Sequence, residues 1–461
     1  MMINVYNPKL FLKIIKSYLL DINRLKNFSE EELKKFQVKE LKKIISYANT
    51  VALYRNKFKK AEVGHCDIYE MEDIVNLPII TKEDIREYYP NGIISDKVRM
   101  ENLIEINTSG TTGKKLSIFG DPLDMFLWFY WYIRILREYG INWWRKKLTI
   151  IGDLSLGTIG SSYINQTLFF NSNYKKLFKN MQFLDTNEDP KKIIREINSF
   201  KPDFIGGYVG MLSHLALIKF NGGGEQIRPS FIATIGSVLT SPLKKLLEET
   251  FNAKVFEVYG TTETGTIAFQ CTQGSYHVMS DLVFPEFYRN GKRAESKEPG
   301  KMIITRLYGK GTPIIRYNAI NDIVAPLQKK CKCGVPGMLI HKIYGRDTLA
   351  LYLSKGRVLL PSSITEIHSR VLYELKTNRV KHTRIIQDDI DTINIDLILD
   401  KKSFVSDSTD QEIFSIIKKG YEEKIGKNVS VNIKKVKKVD MNGARIITKV
   451  DKSNFKIKKY I

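Results

Sequence analysis

The chain has 461 residues, with 73 Lys+Arg against 50 Asp+Glu, a formal charge of +23. Its 43% hydrophobic content excludes wholesale disorder, and four cysteines are too few for a disulfide scaffold. The charge leaves a nucleic-acid or membrane-surface partner open, although no zinc-finger or RNP pattern accompanies it.

The N-terminal segment is interrupted by Lys9, Lys13 and Lys16 and lacks a small-residue cleavage site, which argues against a signal peptide. Leu12, Ile15 and Leu19 lie between these lysines at near-helical spacing. The pattern predicts an amphipathic helix packed on its own domain, with a membrane-surface helix as the alternative. A second helix is expected over Glu31 to Tyr47. The most apolar stretch, Met125 to Ile135, is far shorter than the roughly 20 residues that cross a bilayer, so it reads as a buried helix. With no export signal and few cysteines, a cytoplasmic location is expected.

From Lys147 onward, short apolar runs bounded by Gly, Asp or Pro (KLTIIGD, KPDFIGGYVG, RPSFIATIGS, AKVFEVYG) alternate with helical stretches at Asp189 to Phe200 and Ser241 to Phe251. Such alternation predicts an α/β fold with mixed, mostly parallel sheets flanked by helices. After Tyr344 the texture changes again. Strand-like RVLLP and INIDLIL, with helices over Ser362 to Lys376 and Asp410 to Lys424, predict a small α+β unit. The boundary is placed near Gly345, giving a large domain over 1–344 and a small one over 345–461.

Between Ile106 and Asp121 runs a hydroxyl-rich glycine loop, Thr108, Ser109, Gly110, Thr111, Thr112, Gly113 and Lys114. Glycines let backbone N–H groups approach phosphate oxygens, hydroxyls donate further bonds and the lysine supplies charge. The spacing is not that of a Walker A loop, because only two residues separate the glycines and Lys115 follows Lys114.

This loop resembles the phosphate loop of the adenylate-forming superfamily, the acyl-CoA synthetases and their relatives. VYGTTETG (Val258 to Gly265), PIIRYNAIND (Pro313 to Asp322) and YGRDTLALYLSKGRVLLPSSI (Tyr344 to Ile364) are similar to that superfamily's later motifs, in the same order. NLPIITKEDIRE, KPDFIGGYVGMLSHLA and a Cys-x-Cys before the hinge resemble the phenylacetate–CoA ligase branch, which includes CapK-like and coenzyme F390 synthetase-like proteins.

The resemblance implies ATP-dependent activation of a carboxylic acid through an acyl-adenylate, then acyl transfer to a thiol such as coenzyme A. It implies that Thr108 to Lys114 hold the β/γ-phosphates, Glu263 helps bind Mg²⁺ and Thr262 contacts the α-phosphate. Tyr259 would stack on adenine, with Gly236, Ser237, Gly260 and Thr261 around it. Asp322 would accept ribose hydroxyls and Arg346 would reach the nucleotide from the hinge. Tyr208, Gly210 and Met211 would line the acyl pocket, and the small domain would rotate about Gly345 to Leu353 between half-reactions. The alternatives are an adenylate-forming enzyme serving an amine, a sugar or a carrier protein, and a degenerate nucleotide-binding homologue. A homodimer is left open, and neither nucleic acid nor a transmembrane segment is expected.

One departure stands out. The family's C-terminal catalytic lysine often follows a glycine, but here Gly443 is followed by Ala444 and Arg445. Lys449 is the nearest candidate to supply it, and a planar guanidinium at Arg445 is not equivalent to an ammonium. Slow adenylation with intact ATP binding is the expected consequence. Separately, Cys271, His277, Cys331 and Cys333 form a Cys₃His set suited to a structural Zn²⁺, with reduced thiols as the alternative reading. Cys66 stands apart from that set. The segment from Lys401 to Ile461 carries 16 basic and 7 acidic residues, a net of +9, enough to attract an acidic acceptor.

Overall fold

The computed structural model describes residues 8–63, 67–107, 116–155, 158, 178–401, 406, 408–439, 445–452, 455 and 457–461. Helices α1 (Pro8–Asp21), α2 (Arg24–Asn27), α3 (Glu30–Ala48), α4 (Ala52–Ala61) and α5 (Lys82–Tyr88) come first. Ser29 and Thr81 start α3 and α5 through capping boxes with Glu32 and Asp84, which satisfy the N–H groups a helix start leaves unpaired. The hairpin β1 (Ile104–Asn107) and β2 (Ser117–Gly120) follows, then α6 (Pro122–Glu138).

The centre alternates strand and helix: β3 (Leu148–Gly152), β4 (Met181–Asp185), α7 (Pro190–Phe200), β5 (Phe204–Tyr208), α8 (Val209–Phe220), β6 (Phe231–Ile235), α9 (Ser241–Phe251) and β7 (Lys254–Thr261). Next come β8 (Gly265–Gln270), β9 (Tyr276–Val278), β10 (Val283–Arg289), β11 (Lys292–Arg293), β12 (Gly300–Arg306), β13 (Asp322–Leu327) and β14 (Leu339–Arg346). Together β3–β14 make one 12-stranded sheet in the order β11-β10-β12-β13-β14-β9-β8-β7-β6-β5-β3-β4. The sheet is mixed, as expected, but parallel pairing is confined to β3–β7, where helices make the crossovers. From β7 to β11 all neighbours are antiparallel, so the parallel character read from the middle of the chain does not extend to this half.

Period-2 alternation divides the parallel strands between two cores. Ile205, Ile232 and Val255 face α7, α8 and α9 in one core. Their neighbours Phe204, Ala233 and Phe256 face the other, with Trp131, Ile135 and Tyr139 of α6. Within the apolar stretch of α6, Trp128, Tyr130, Trp131, Ile133 and Ile135 are buried in protein. The second core continues under α3, α4 and α5 and the antiparallel strands.

The last segments are β15 (Leu351–Leu353), β16 (Arg357–Leu359), α10 (Pro361–Leu375), β17 (Val380–Asp389), β18 (Thr392–Leu399), α11 (Asp410–Ile425), β19 (Ser430–Lys435), β20 (Ile446–Thr448) and β21 (Lys459–Tyr460). A four-stranded sheet, β19-β18-β17-β20, packs Ile385, Ile393, Ile395 and Leu397 against Ile367, Ile413 and Ile417 of α10 and α11. This unit also meets the large sheet's helices, where the Thr240 and Ser369 hydroxyls lie 2.7 Å apart.

One expectation needs correction. Helix α1 forms, yet Leu12 and Leu19, assigned to its packed side, are 65% and 67% exposed. Tyr18 turns inward instead, edge-on to Tyr130 and Trp143. Among the described residues, no helix is long and apolar enough to cross a membrane.

Candidate active site

The parallel strands β5, β6 and β7 deliver Tyr208, Gly236 and Thr261 at their carboxyl ends, the edge where open α/β sheets receive ligands. Gly236 follows β6 with φ +88°, and a Cβ there would lie 2.4 Å from Cδ1 of Tyr208. The Tyr208 ring therefore lies directly on the Gly236 backbone, which only glycine permits. Ser237 beside it is exposed. Gly210 and Met211 sit in the first turn of α8. Gly210 faces open space, while Met211 is partly buried against the α7–α9 core.

β7 carries Tyr259, Gly260 and Thr261 into the turn holding Thr262 and Glu263. A Cβ on Gly260 would meet the Gly265 carbonyl oxygen at 2.6 Å, so the turn closes tightly because this residue is glycine. The Thr261 and Thr264 hydroxyls lie 2.9 Å apart across it. Burial pushes the Glu263 carboxyl up, opposed by the nearby charges of Arg346 and Lys82 and by a hydrogen bond from Thr261.

Asp322 begins β13 and Arg346 ends β14, and the two are direct partners in the antiparallel register. This pair meets the end of β7, where Tyr259 Oη donates to Asp322 Oδ2 at 2.5 Å. Burial raises Asp322 from 3.8 to about 6, despite the Tyr259 hydrogen bond and the charge of Arg346. Tyr259 and Asp322, both buried, thus form one group of interacting charges and hydroxyls with the half-buried Glu263 and Arg346.

The phosphate-loop residues Thr108 to Lys114 lie outside the described residues, as do Gly443, Ala444 and Cys66. Their loop's base is described. Asn107 pairs with Ser117, and Ser117 Oγ donates to Asn107 Oδ1 at 2.6 Å. Lys449 is not brought to the group. It follows β20, is largely exposed, and places Nζ 2.6 Å from Asp388. Arg445 accepts a backbone bond from Ile385 through its carbonyl.

Two residues join the site that sequence reasoning did not assign. Lys82 opens α5, whose approach is held by Ile80 N donating to the Arg316 carbonyl and by the Ile80–Tyr317 bridge. Burial lowers the Lys82 ammonium, as do Arg86 and Arg346, while Glu263 opposes them. Arg306, 1% exposed, donates from Nη2 to the Thr312 carbonyl at 2.7 Å and from Nη1 to the Glu263 carbonyl at 3.4 Å. Thr312 in turn binds Phe119 of β2 through both its N–H and its hydroxyl. Lys82 lies in a stretch whose capping-box pattern signals only a helix start, and Arg306 carries no local signal.

A second cluster lies along the sheet from the first. Ligand atoms of Cys271, His277, Cys331 and Cys333 all fall within 4.8 Å of one another. Strand β9 brings His277 beside Leu339 of β14, just after the Cys-x-Cys turn. Cys271 and Cys331 Sγ are 3.7 Å apart, close to the ~3.8 Å edge of a tetrahedron with ~2.3 Å Zn–S bonds. His277 Nε2 lies 3.1 Å from Cys333 Sγ, and burial lowers the imidazole to about 4, leaving it neutral and able to ligate. The donor set fits zinc.

No protein-family model matches the chain. Over 94% of its length it is 23% identical to Protein CapK of Staphylococcus aureus, covering 92% of that protein. It is 25% identical to the phenylacetate-coenzyme A ligase of Escherichia coli (strain K12), over 78% of this chain and 83% of that one. Among solved structures, 2-hydroxyisobutyryl-CoA ligase in its postadenylation state, in complex with R3-HIB-AMP, superposes with a TM-score of 0.72 at 17% identity. The match spans 94% of this chain and 92% of that one. The fold is that of an adenylate-forming enzyme. The likeness to these curated relatives and the shared fold support the adenylate-forming, acyl-CoA ligase superfamily.

Proposed function

We propose that the protein activates a carboxylic acid with ATP through an acyl-adenylate and passes the acyl group to a thiol such as coenzyme A. The observation that carries this reading is the convergence of Tyr259, Glu263, Asp322 and Arg346 at the carboxyl ends of the parallel strands. The names of the phenylacetate-coenzyme A ligase and 2-hydroxyisobutyryl-CoA ligase relatives agree with it.

A carboxylate is a poor electrophile. Attack of its oxygen on the α-phosphorus of ATP forms an O–P bond and expels pyrophosphate. A thiol then forms the thioester and AMP leaves. Asp322, as a carboxylate, accepts the ribose hydroxyls, and Tyr259 both holds Asp322 and offers its ring to the base. Arg346 and Lys82 face the charge that develops on the phosphates, where fixed cations in a buried site act strongly. Thr108 to Lys114 bind the β/γ-phosphates, and Thr262 contacts the α-phosphate. Tyr208, Gly210 and Met211 line the acyl side. Glu263, half-buried and hydrogen-bonded by Thr261, suits Mg²⁺, which would neutralise phosphate charge. Zinc at Cys271, His277, Cys331 and Cys333 would pin β9 and β14 together, with no open position for chemistry. Residues 345–461 move as a unit against 1–344. Gly345, with φ +85°, supports a pivot there.

A second reading changes only the acceptor, to an amine, a hydroxyl, a sugar or a carrier protein. It is favoured by the likeness to CapK over 94% of the chain and by the +9 charge of the last 61 residues. A panel of acids assayed for AMP and pyrophosphate, with and without coenzyme A, separates the two. Thioester formed only with coenzyme A supports the thiol ligase, whereas acyl-adenylate without thioester supports the second reading. ATP binding with no product from any acid would overturn both.

A further inference from the structure

Helix α1 leaves its aliphatic stripe in solvent. Leu12, Ile15 and Leu19 follow an i, i+3, i+7 spacing and Leu20 adjoins them, with exposures of 65%, 39%, 67% and 59%. The inward side is held by other contacts. Arg134 Nη2 donates to the Asp21 carbonyl at 2.6 Å, Arg24 Nη1 reaches Asp21 Oδ1 at 2.5 Å, and the Tyr18 ring meets Tyr130 and Trp143. The helix is therefore fixed to the protein while Leu12, Ile15, Leu19 and Leu20 stay exposed. Trp144 adjoins the helix through this inward residue. It is 48% exposed, and its Nε1 lies 3.4 Å from Tyr18 Oη.

Positive charge surrounds the stripe. Lys16 projects into solvent on α1, and Arg145, Lys146 and Lys147 are exposed beside Trp144. The Arg137 guanidinium lies 5.5 Å over the Tyr18 ring. The carboxylates on this side already have partners: Asp21 has Arg24, Glu138 has Lys26 and Asp203 has Lys146. Lys16 and Arg145 make no ion pair with any described residue.

We propose that α1 and Trp144 form a docking face for an anionic phospholipid surface, with the helix lying in the plane of the interface. Leucines on one side, lysines beside them and a tryptophan at the rim are the composition such helices need. At 14 residues the helix is ~21 Å long, too short to cross a bilayer but suited to lie on one. Charge complementarity argues against a second copy as the occupant. A two-fold contact would bring the positive charges around this face in both copies together, in a chain of net charge +23.

Flotation of the full chain with vesicles tests the proposal. Vesicles of phosphatidylcholine mixed with phosphatidylglycerol should carry the protein, those of phosphatidylcholine alone should not, and added salt should release it. Trp144 emission should shift to the blue on binding, and Trp144→Phe should abolish that shift. The double substitution Leu12→Glu/Leu19→Glu lies at exposed positions. It should cut vesicle binding more than about tenfold while leaving thermal stability and ATP affinity unchanged. Equal flotation of this variant and the parent would overturn the proposal, as would equal binding to neutral vesicles. Failure of the parent to float, with a sedimentation dimer that Leu19→Glu splits, would assign the face to a second copy instead.

Discussion

Tyr259 Oη and Asp322 Oδ2 lie 2.5 Å apart, joining strands that have three others between them in the sheet. The bond both orients the carboxylate and covers it, and burial holds Asp322 at about 6.

A ribose-binding carboxylate must be ionised, so ATP affinity should rise with pH through about 6 and then level off. Asp322→Asn should flatten this profile and weaken ATP by about 1.5–3 kcal/mol, roughly ten- to a hundredfold, the worth of hydrogen bonds to a charged group. Stability has the opposite sign. An acid with a folded pKa above its unfolded value of 3.8 holds its proton more tightly when folded, so stability falls as pH rises from 3.8 toward 6. Asp322→Asn should therefore raise Tm at neutral pH while lowering nucleotide affinity. Calorimetric titration and thermal scans across the same pH series check both.

Arg306 ties the exit of the phosphate loop to the Glu263 turn, through Thr312 on one side and the Glu263 carbonyl on the other. Arg306→Met keeps the volume but leaves two carbonyls without their donor, at a cost of about 2–4 kcal/mol. The expected outcome is a lower urea midpoint together with a raised Mg²⁺ requirement for pyrophosphate exchange. An unchanged Mg²⁺ dependence would confine Arg306 to a structural role.

Short segments of sequence place site residues where their position depends on local neighbours. The Tyr-Gly-Thr-Thr-Glu turn, Asp322 and Arg346 sit in short segments whose strand-end geometry is local, and they meet because β7 and β14 end, and β13 begins, at one edge. Lys82 and Arg306 escaped notice because their roles arise from chain segments far away. Period also fails to say which face of a helix is covered. The apolar spacing of α1 produced the helix, but anchoring by Tyr18 and Asp21 decided which side points outward. Antiparallel pairing takes over after β7, where β7–β8 and β8–β9 turn back without a crossover helix.

The cysteine cluster joins residues up to 62 positions apart through the β9–β14 pairing. Protein purified without chelator should hold about one zinc per chain. Cys331→Ser or Cys333→Ser should remove it and lower Tm, because metal-binding energy at such a site is folding energy. Nucleotide affinity at a temperature well below Tm should change little, since no ligand of the cluster touches the Tyr259–Asp322 group. Elemental analysis and thermal scans with and without chelator decide the point, and metal-free protein of unaltered Tm would exclude the site.

The missing glycine–lysine pair leaves two ammonium groups to compare. Lys449 Nζ is paired with Asp388 on the outer side of β17, whereas Lys82 shares the field of Glu263 and Arg346. Adenylation in the arrangement seen here should therefore depend on Lys82. Lys82→Ala should lower kcat for carboxylate-dependent pyrophosphate exchange by roughly a hundredfold, within the range for loss of one fixed donor to developing charge. Lys449→Ala should do so only where the small unit turns and breaks its pair with Asp388. Asp388→Asn frees that lysine without touching the site. If Lys449 serves adenylation after rotation, Asp388→Asn should speed exchange and Lys449→Ala should abolish the gain. If Lys82 serves alone, both substitutions should leave the exchange rate within about twofold, and Lys82→Arg should fail to rescue it because a planar guanidinium does not reproduce a compact ammonium.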